Sequence, residues 1–146
     1  MIKFLKMYRI IYFSAALETT SEQDLNDILL HAKAYNSSHN ITGVLLHIDG
    51  DFLQILEGEK DNVQTLFEKI KKDRRHRGIL TVIESEIKKR QFPEWSMGYK
   101  YIGYVEISKI ESLANFNRES LLNADEKITN AFLKTFLDSH KNQINN

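Results

Sequence analysis

A phenol, two carboxamides and a carboxylate stand where the surrounding pattern calls for apolar side chains. Gln54 lies between Phe52 and Leu56 on one face of a strand-like run, and Tyr12 holds the corresponding face of an earlier run. Asn36 falls four residues after Ala32 and seven after Leu29, continuing an apolar helical stripe, and Asp73 falls seven after Leu66 on a second stripe. Burying such a group costs on the order of a few kcal/mol unless its donors and acceptors are paired. A flat heteroaromatic ring with a polar edge would satisfy all four. Its body would lie between Ile28, Leu29, Leu66, Phe67 and Ile70, and its edge would meet Asn36, Gln54 and Asp73. Each residue also has a structural explanation. Gln54 reads equally as a satisfied core glutamine, Tyr12 as a core tyrosine bonded to backbone, Asn36 as a helix C-cap, and Asp73 as a partner of Arg74 or Arg77.

The elements that must position these residues follow from periodicity. Residues 8–14 read as a strand with Tyr8, Ile10, Tyr12 and Ser14 on one face and Ile11 and Phe13 on the other. A helix starts at Thr20 or Ser21, where Thr20 and Gln23 have capping-box spacing, and carries Leu25, Ile28, Leu29 and Ala32. Strands over 42–48 and 52–57 are joined by Asp49-Gly50, a hairpin-turn signal. A second helix spans roughly 61–74 with the stripe Val63, Leu66, Phe67 and Ile70. Strands over 79–87 and 95–102 follow, the last entered through Phe92-Pro93. The order β-α-β-β-α-β-β predicts a ferredoxin-like α+β sheet with both long helices on one face. The strand 52–57 is apolar on both faces, so the second face also needs a cover. Two C-terminal helices are expected to supply it. One carries Ile107, Ile110, Leu113 and Ala114, and the other opens at Asn123 and Glu126 and carries Ile128, Ala131, Phe132 and Phe136. The division is a domain over 7–102 and a helical extension with a frayed tail over 103–146.

Composition narrows the function classes. With 20 basic and 20 acidic residues, the formal charge is zero, which disfavours a partner bound through phosphate charge despite the local run Lys71, Lys72, Arg74, Arg75 and Arg77. There is no cysteine, so disulfides, thiolate metal sites and cysteine nucleophiles are excluded. His31, His39, His47, His76 and His140 form no metal-ligand motif, and no metal is expected. Gly43, Gly50, Gly58 and Gly78 make no phosphate-binding fingerprint. Met1–Met7 is too short in its apolar part for a signal peptide, and Met7 directly before Tyr8 marks the start of the domain. The apolar runs are far short of a membrane span, so a cytoplasmic protein with no membrane partner is expected.

Four blocks taken together carry a more specific signal. Residues 36–46 (NSSHNITGVLL), 49–58 (DGDFLQILEG), 72–76 (KDRRH) and 90–97 (RQFPEWSM) resemble, in order and spacing, the signature of BLUF domains, sensors of blue light using FAD. The resemblance covers about residues 8–100 and is closest to the short, single-domain class, without the length for a fused nucleotide cyclase or phosphodiesterase. It implies non-covalently bound FAD between the two helices, with Tyr12 and Gln54 beside the reactive edge of the ring. It assigns Asn36 as a flavin-binding residue, Asp73 and Lys69 to the polar edge, and Arg75 and His76 to the rest of the pocket. Trp95 and Met97 match fifth-strand residues that transmit the signal. The pattern departs at Tyr35, where family members carry Asn or His.

The resemblance further implies light-driven transfer of an electron and a proton from Tyr12, followed by rearrangement of Gln54. That gives a red-shifted signalling state without a cysteine adduct, unlike the LOV type of flavin sensor. The expected output is a signal to a separate partner protein from a non-enzymatic homo-oligomer. The alternative is a ferredoxin-like RNA or small-molecule binding module without photochemistry. For RNA, residues 51–57 lack the basic-Gly-aromatic run such a module needs. A BLUF-derived scaffold that has lost light sensing is opposed by the presence of both Tyr12 and Gln54.

Overall fold

Period-two alternation in the first run sends Tyr8, Ile10 and Tyr12 to one apolar layer and Ile11 and Phe13 to another, so this strand must be covered on both faces. The computed structural model describes residues 6–17 and 20–109, with positions 117, 119, 131 and 134 beyond them. Its elements are β1 (Met7–Ala16), α1 (Glu22–Ser38), β2 (Thr42–Ile48), β3 (Asp51–Glu59), α2 (Lys60–Lys72), β4 (His76–Glu86), β5 (Gly98–Ile102) and α3 (Tyr104–Ser108). The sheet order is β4-β1-β3-β2-β5. All neighbours are antiparallel except β2 and β5, which run parallel. This is the expected ferredoxin-like α+β arrangement with a fifth strand added beside β2.

Leu25 of α1 and Val63 and Phe67 of α2 pack with Tyr8, Ile10, Tyr12, Leu45, Phe52 and Leu56, so both long helices lie on one face. On the opposite face Ile11, Phe13, Val44, Leu46, Leu53 and Ile55 join Phe92, Ile102 and Ile107. Ile107 belongs to α3, so part of the predicted cover is present. The expected contributions of Ile110, Leu113 and Ala114, and of the helix from Asn123, lie outside the described residues.

The local chemistry explains several boundaries. Asp49 and Gly50 both have positive φ, 46° and 87°, the two-residue turn that matches strand twist. The Asp49 carboxylate then accepts from Tyr104 N at 2.6 Å and the Tyr101 hydroxyl at 3.2 Å, tying the turn to the end of β5. Gly43 of β2 has no room for a side chain, because a Cβ there would stand 1.8 Å from the Ile55 carbonyl oxygen. Lys69, Lys71 and Lys72 in the last turn of α2 oppose its negative dipole end.

Four expectations need correction. The cap of α1 is Ser21, whose hydroxyl accepts from Asp24 N at 3.1 Å while the Asp24 carboxylate accepts from Ser21 N at 3.0 Å, so the capping box lies one residue later than Thr20 and Gln23. Asn36 lies inside α1, and His39 is its C-cap. Asp73 is the C-cap of α2 with extended backbone, so it leaves the helical stripe instead of continuing it. The fifth strand begins at Gly98, not at Trp95, because residues 91–97 form an irregular segment behind Pro93.

Candidate functional site

A cavity of about 230 Å³ opens between α1, α2 and the sheet. Its apolar wall includes Ile28, Leu29 and Ala32 from α1, Leu66 and Ile70 from α2, and Leu45 and Phe52 from the sheet. Tyr12, Asn36, Gln54, Lys69, Asp73, Arg75 and His76 bring polar groups to the same space. The four sequence outliers therefore converge, though they lie up to 61 residues apart in the chain, from Tyr12 to Asp73.

Strand register sets the central pair. Tyr12 on β1 stands directly opposite Gln54 on β3, and Leu45 flanks Gln54 from β2. The Tyr12 hydroxyl donates to Gln54 Oε1. That bond turns Gln54 Nε2 toward Met97 Sδ, 3.4 Å away. Tyr12 is buried, and burial together with the negative charge of Asp73 pushes its phenol well above the ordinary value. The phenolate is therefore inaccessible near neutrality, and the hydroxyl stays a donor.

Asn36 is buried and donates from Nδ2 to the Ser96 carbonyl at 2.7 Å. Its Oδ1 has no partner although it is buried. An unpaired buried acceptor costs about 1–3 kcal/mol, so one in the wall of a cavity fits a ring N–H. Asp73 is clamped by Arg75, whose Nε and Nη2 donate to its carboxylate at 3.0 and 2.6 Å while the Arg75 backbone N adds a bond at 2.9 Å. The partner is thus Arg75, not Arg74 or Arg77. These bonds hold the Asp73 carboxyl below its usual range against the opposing effect of burial. His76 bridges the Ser14 hydroxyl at 2.9 Å and the Ile70 carbonyl at 2.8 Å, which fastens β4 to β1 and α2 beside Tyr12. Nε2 must carry its proton to donate to Ile70. Lys69 Nζ lies 4.5 Å from the centre of the Tyr35 ring, and Tyr35 stacks on His39 with centroids 4.0 Å apart. Tyr35 thus holds the ammonium at the cavity wall.

One expected contact falls elsewhere. Phe67 does not line the cavity; it packs behind it against Tyr12, with ring centroids 5.4 Å apart. Trp95 and Met97 do not share a face, because their segment is not a strand. Met97 is fully buried in the cavity wall, while Trp95 stacks on Phe92 against the opposite core, with centroids 5.8 Å apart. His31, Leu45 and Phe52 stand in the wall as well, beyond the residues expected there. Phe52 was recoverable from its place two residues before Gln54, but Leu45 depends on register between strands, which periodicity does not encode.

Among the described residues there is no cluster that could hold a metal ion, and no helix long and apolar enough to cross a membrane. The wall does fit a flavin ring: apolar sides of α1 and α2 for its body, and the unpaired acceptor of Asn36 with the amide of Gln54 for its edge.

Comparison with known proteins agrees with this chemistry. The family model for BLUF, sensors of blue light using FAD, matches residues 7–98. The photoactivated adenylate cyclase subunit beta of Euglena gracilis is 40% identical over 87 residues, which cover 59% of this chain and 10% of that protein. The corresponding subunit of Euglena longa is also 40% identical over 87 residues, again 59% of this chain and 10% of that protein. The chain thus spans about a tenth of the length of these relatives. Among solved structures, BlsA in its photo-activated state superposes with a TM-score of 0.78 at 35% identity, covering 88% of this chain and 92% of that one. The dark state of BlrB gives 0.74 at 26% identity, covering 92% and 98%. Klebsiella pneumoniae BlrP1, solved with FMN and cyclic diGMP, gives 0.60 at 25% identity, covering 85% and 30%. The chain belongs to the BLUF family and is a flavin-binding blue-light photoreceptor.

Proposed function

We propose that FAD is the flavin taken up between α1 and α2, and that Tyr12 and Gln54 convert its excitation into a changed hydrogen-bond pattern. The observation that carries this reading is the buried chain Tyr12 hydroxyl–Gln54 amide–Met97 sulfur in the wall of the cavity. When bound, the flavin supplies blue-light absorption and, once excited, oxidising power.

Tyr12 is the phenol positioned to give up an electron. Burial and the charge of Asp73 keep the phenol protonated until that electron is lost, so oxidation of Tyr12 has a proton to release. The route for that proton is the existing bond to Gln54 Oε1. A carboxamide both donates and accepts, so Gln54 can take the proton on one side and present an N–H on the other. Once the electron and the proton are back on Tyr12, Gln54 would be left rotated or tautomerised, with its N–H turned from Met97 and available to a ring held in the cavity. Asn36 holds the edge of the ring with its free Oδ1, and Asp73, fixed by Arg75, supplies a carboxylate beside it. Ile28, Leu29 and Ile70 exclude water from the ring body. Lys69, set by Tyr35, supplies a cation to the pocket beside the Arg75 guanidinium. Arg75 and His76 act by holding Asp73 and the β1–α2 wall in place.

We read the chain as a sensor without catalysis of its own, signalling to a separate protein through Met97 and Trp95. The Euglena relatives, named as photoactivated cyclases, support an output through an effector. The test is reconstitution with FAD, FMN and riboflavin in parallel, followed by release and identification of the ligand retained by protein purified from cells. FAD is the expected retained species. Exclusive retention of FMN would overturn the cofactor assignment.

A further inference from the structure

We propose that Glu57 is a positioning residue: its buried carboxylate is the fixed anchor against which movement at Met97 is converted into movement of Trp95. The inference rests on the photochemical reading above and adds an element it does not use.

Gln54 and Glu57 lie three residues apart on β3 and face opposite sides of the sheet. Glu57 is completely buried. It stands in a row between Arg9 on β1 and Thr42 on β2. Its carboxylate accepts from Gln91 N at 2.9 and 3.0 Å and from Phe92 N at 2.8 Å. Arg90 closes the row, donating to Thr42 Oγ1 at 2.8 Å, the Glu57 carbonyl at 3.1 Å and the Asn40 carbonyl at 2.6 Å. Arg9 Nη1 donates to Gln91 Oε1 at 3.2 Å. Burial raises the carboxyl of Glu57, while the two amides and the charges of Arg9 and Arg90 favour its ionised form. A buried acidic side chain with this many donors is too costly to be incidental.

The same segment continues to the cavity. Trp95 carbonyl accepts from Gly43 N at 2.9 Å, Ser96 carbonyl accepts from Asn36 Nδ2, and Met97 Sδ accepts from Gln54. β3 thus holds the chain from Gln91 to Met97 at two points, its two ends, on opposite faces, with Gly43 of β2 and Asn36 of α1 bonded to the carbonyls between them. One point, Gln54, is the group that light rearranges. The other, Glu57, is bonded to nothing that changes. When Gln54 leaves Met97, the upstream end cannot follow, so the displacement falls between Pro93 and Met97 and unseats Trp95 from Phe92.

Amide exchange in the FAD-loaded protein, in darkness and under continuous blue light, reads this directly. Light should speed exchange at Gly43 at least tenfold, because its acceptor is the Trp95 carbonyl, and leave Gln91 and Phe92 within about twofold. Trp95 is the sole tryptophan, so its emission gives a second readout. Glu57→Leu should keep flavin and red shift but lose more than half of the light-induced emission change. Glu57→Gln, whose Oε1 can still accept both amides, should restore it. The proposal is overturned if Gln91 and Phe92 accelerate as much as Gly43, if Gly43 does not respond while the red shift is intact, or if Glu57→Leu keeps the full emission change. Should Glu57→Leu fail to fold, exchange in the wild type decides alone. Loss of the red shift in the wild type would instead overturn the photochemical reading on which the inference rests.

Discussion

Tyr12 and Gln54 face each other across β1 and β3, so removing either polar group separates flavin binding from photochemistry. Tyr12→Phe and Gln54→Leu should each retain flavin and abolish the light-induced red shift, measured as a difference spectrum. At Asp73, the ionised form is favoured in the folded chain by Arg75. Its stabilisation is present above the ordinary aspartate value of about 3.9 and lost as pH falls through the lower folded value. Arg75 is half exposed, so the pair should contribute no more than about 1 kcal/mol. Thermal denaturation of wild type and Asp73→Asn between neutral and acid pH should show that difference shrinking on acidification; a difference that grows would contradict the assignment. Much of this site was legible because polarity that disagrees with its surroundings must be explained by a partner. Tyr12, Asn36 and Gln54 are buried and line the cavity, whereas Asp73 reaches it from the C-cap of α2, off the stripe that had singled it out. The same test applied to Glu57 would have found the second polar cluster, but its position near the end of an apolar run made it read as a boundary residue. Phe67 went astray because a helical stripe fixes the inward face, not which inward residues meet a cavity and which meet the sheet.

The elements impose their own constraints, and two substitutions probe them. Ser21→Ala removes the hydroxyl that caps α1 and should cost about 1 kcal/mol in chemical denaturation. Gly43→Ala forces a methyl group against the backbone of β3 and should cost roughly 2–4 kcal/mol or prevent folding. A variant as stable as the wild type would show that β2 and β3 pair differently. Strand and helix order was readable from period and turn chemistry, with Asp49-Gly50 the clearest marker. Ends were less readable. Thr20 and Ser21 offer two caps one residue apart with the same spacing logic, and only the extended backbone at Ser21 chooses. The expected strand over 95–102 included Trp95 and Met97, which the structure leaves outside β5. Anchoring of the segment by Glu57, Gly43 and Asn36 keeps residues 91–97 irregular, which sends the two side chains to opposite sides of the sheet.

At the scale of the molecule, one sheet carries a face with the cavity and a second apolar face, and the segment 91–97 touches both through Met97 and Phe92. The need for a second cover was visible in Leu53 and Ile55 opposite Phe52, and Ile107 of α3 meets part of it. Ile107 is fully buried, so Ile107→Ala should cost roughly 2–5 kcal/mol in chemical denaturation, a size an unpacked appendage could not produce. What the whole chain does was legible only through the conjunction of four sequence blocks, since zero net charge and ordinary composition exclude functions without naming one. The central claim is that light changes hydrogen bonding around a flavin that keeps its redox state and forms no covalent bond. Absorption spectra of the flavin-loaded chain before, during and after blue illumination test it most directly. A small red shift of the intact flavin bands that reverses in darkness is predicted; bleaching of those bands, or a spectrum indifferent to light, would contradict it.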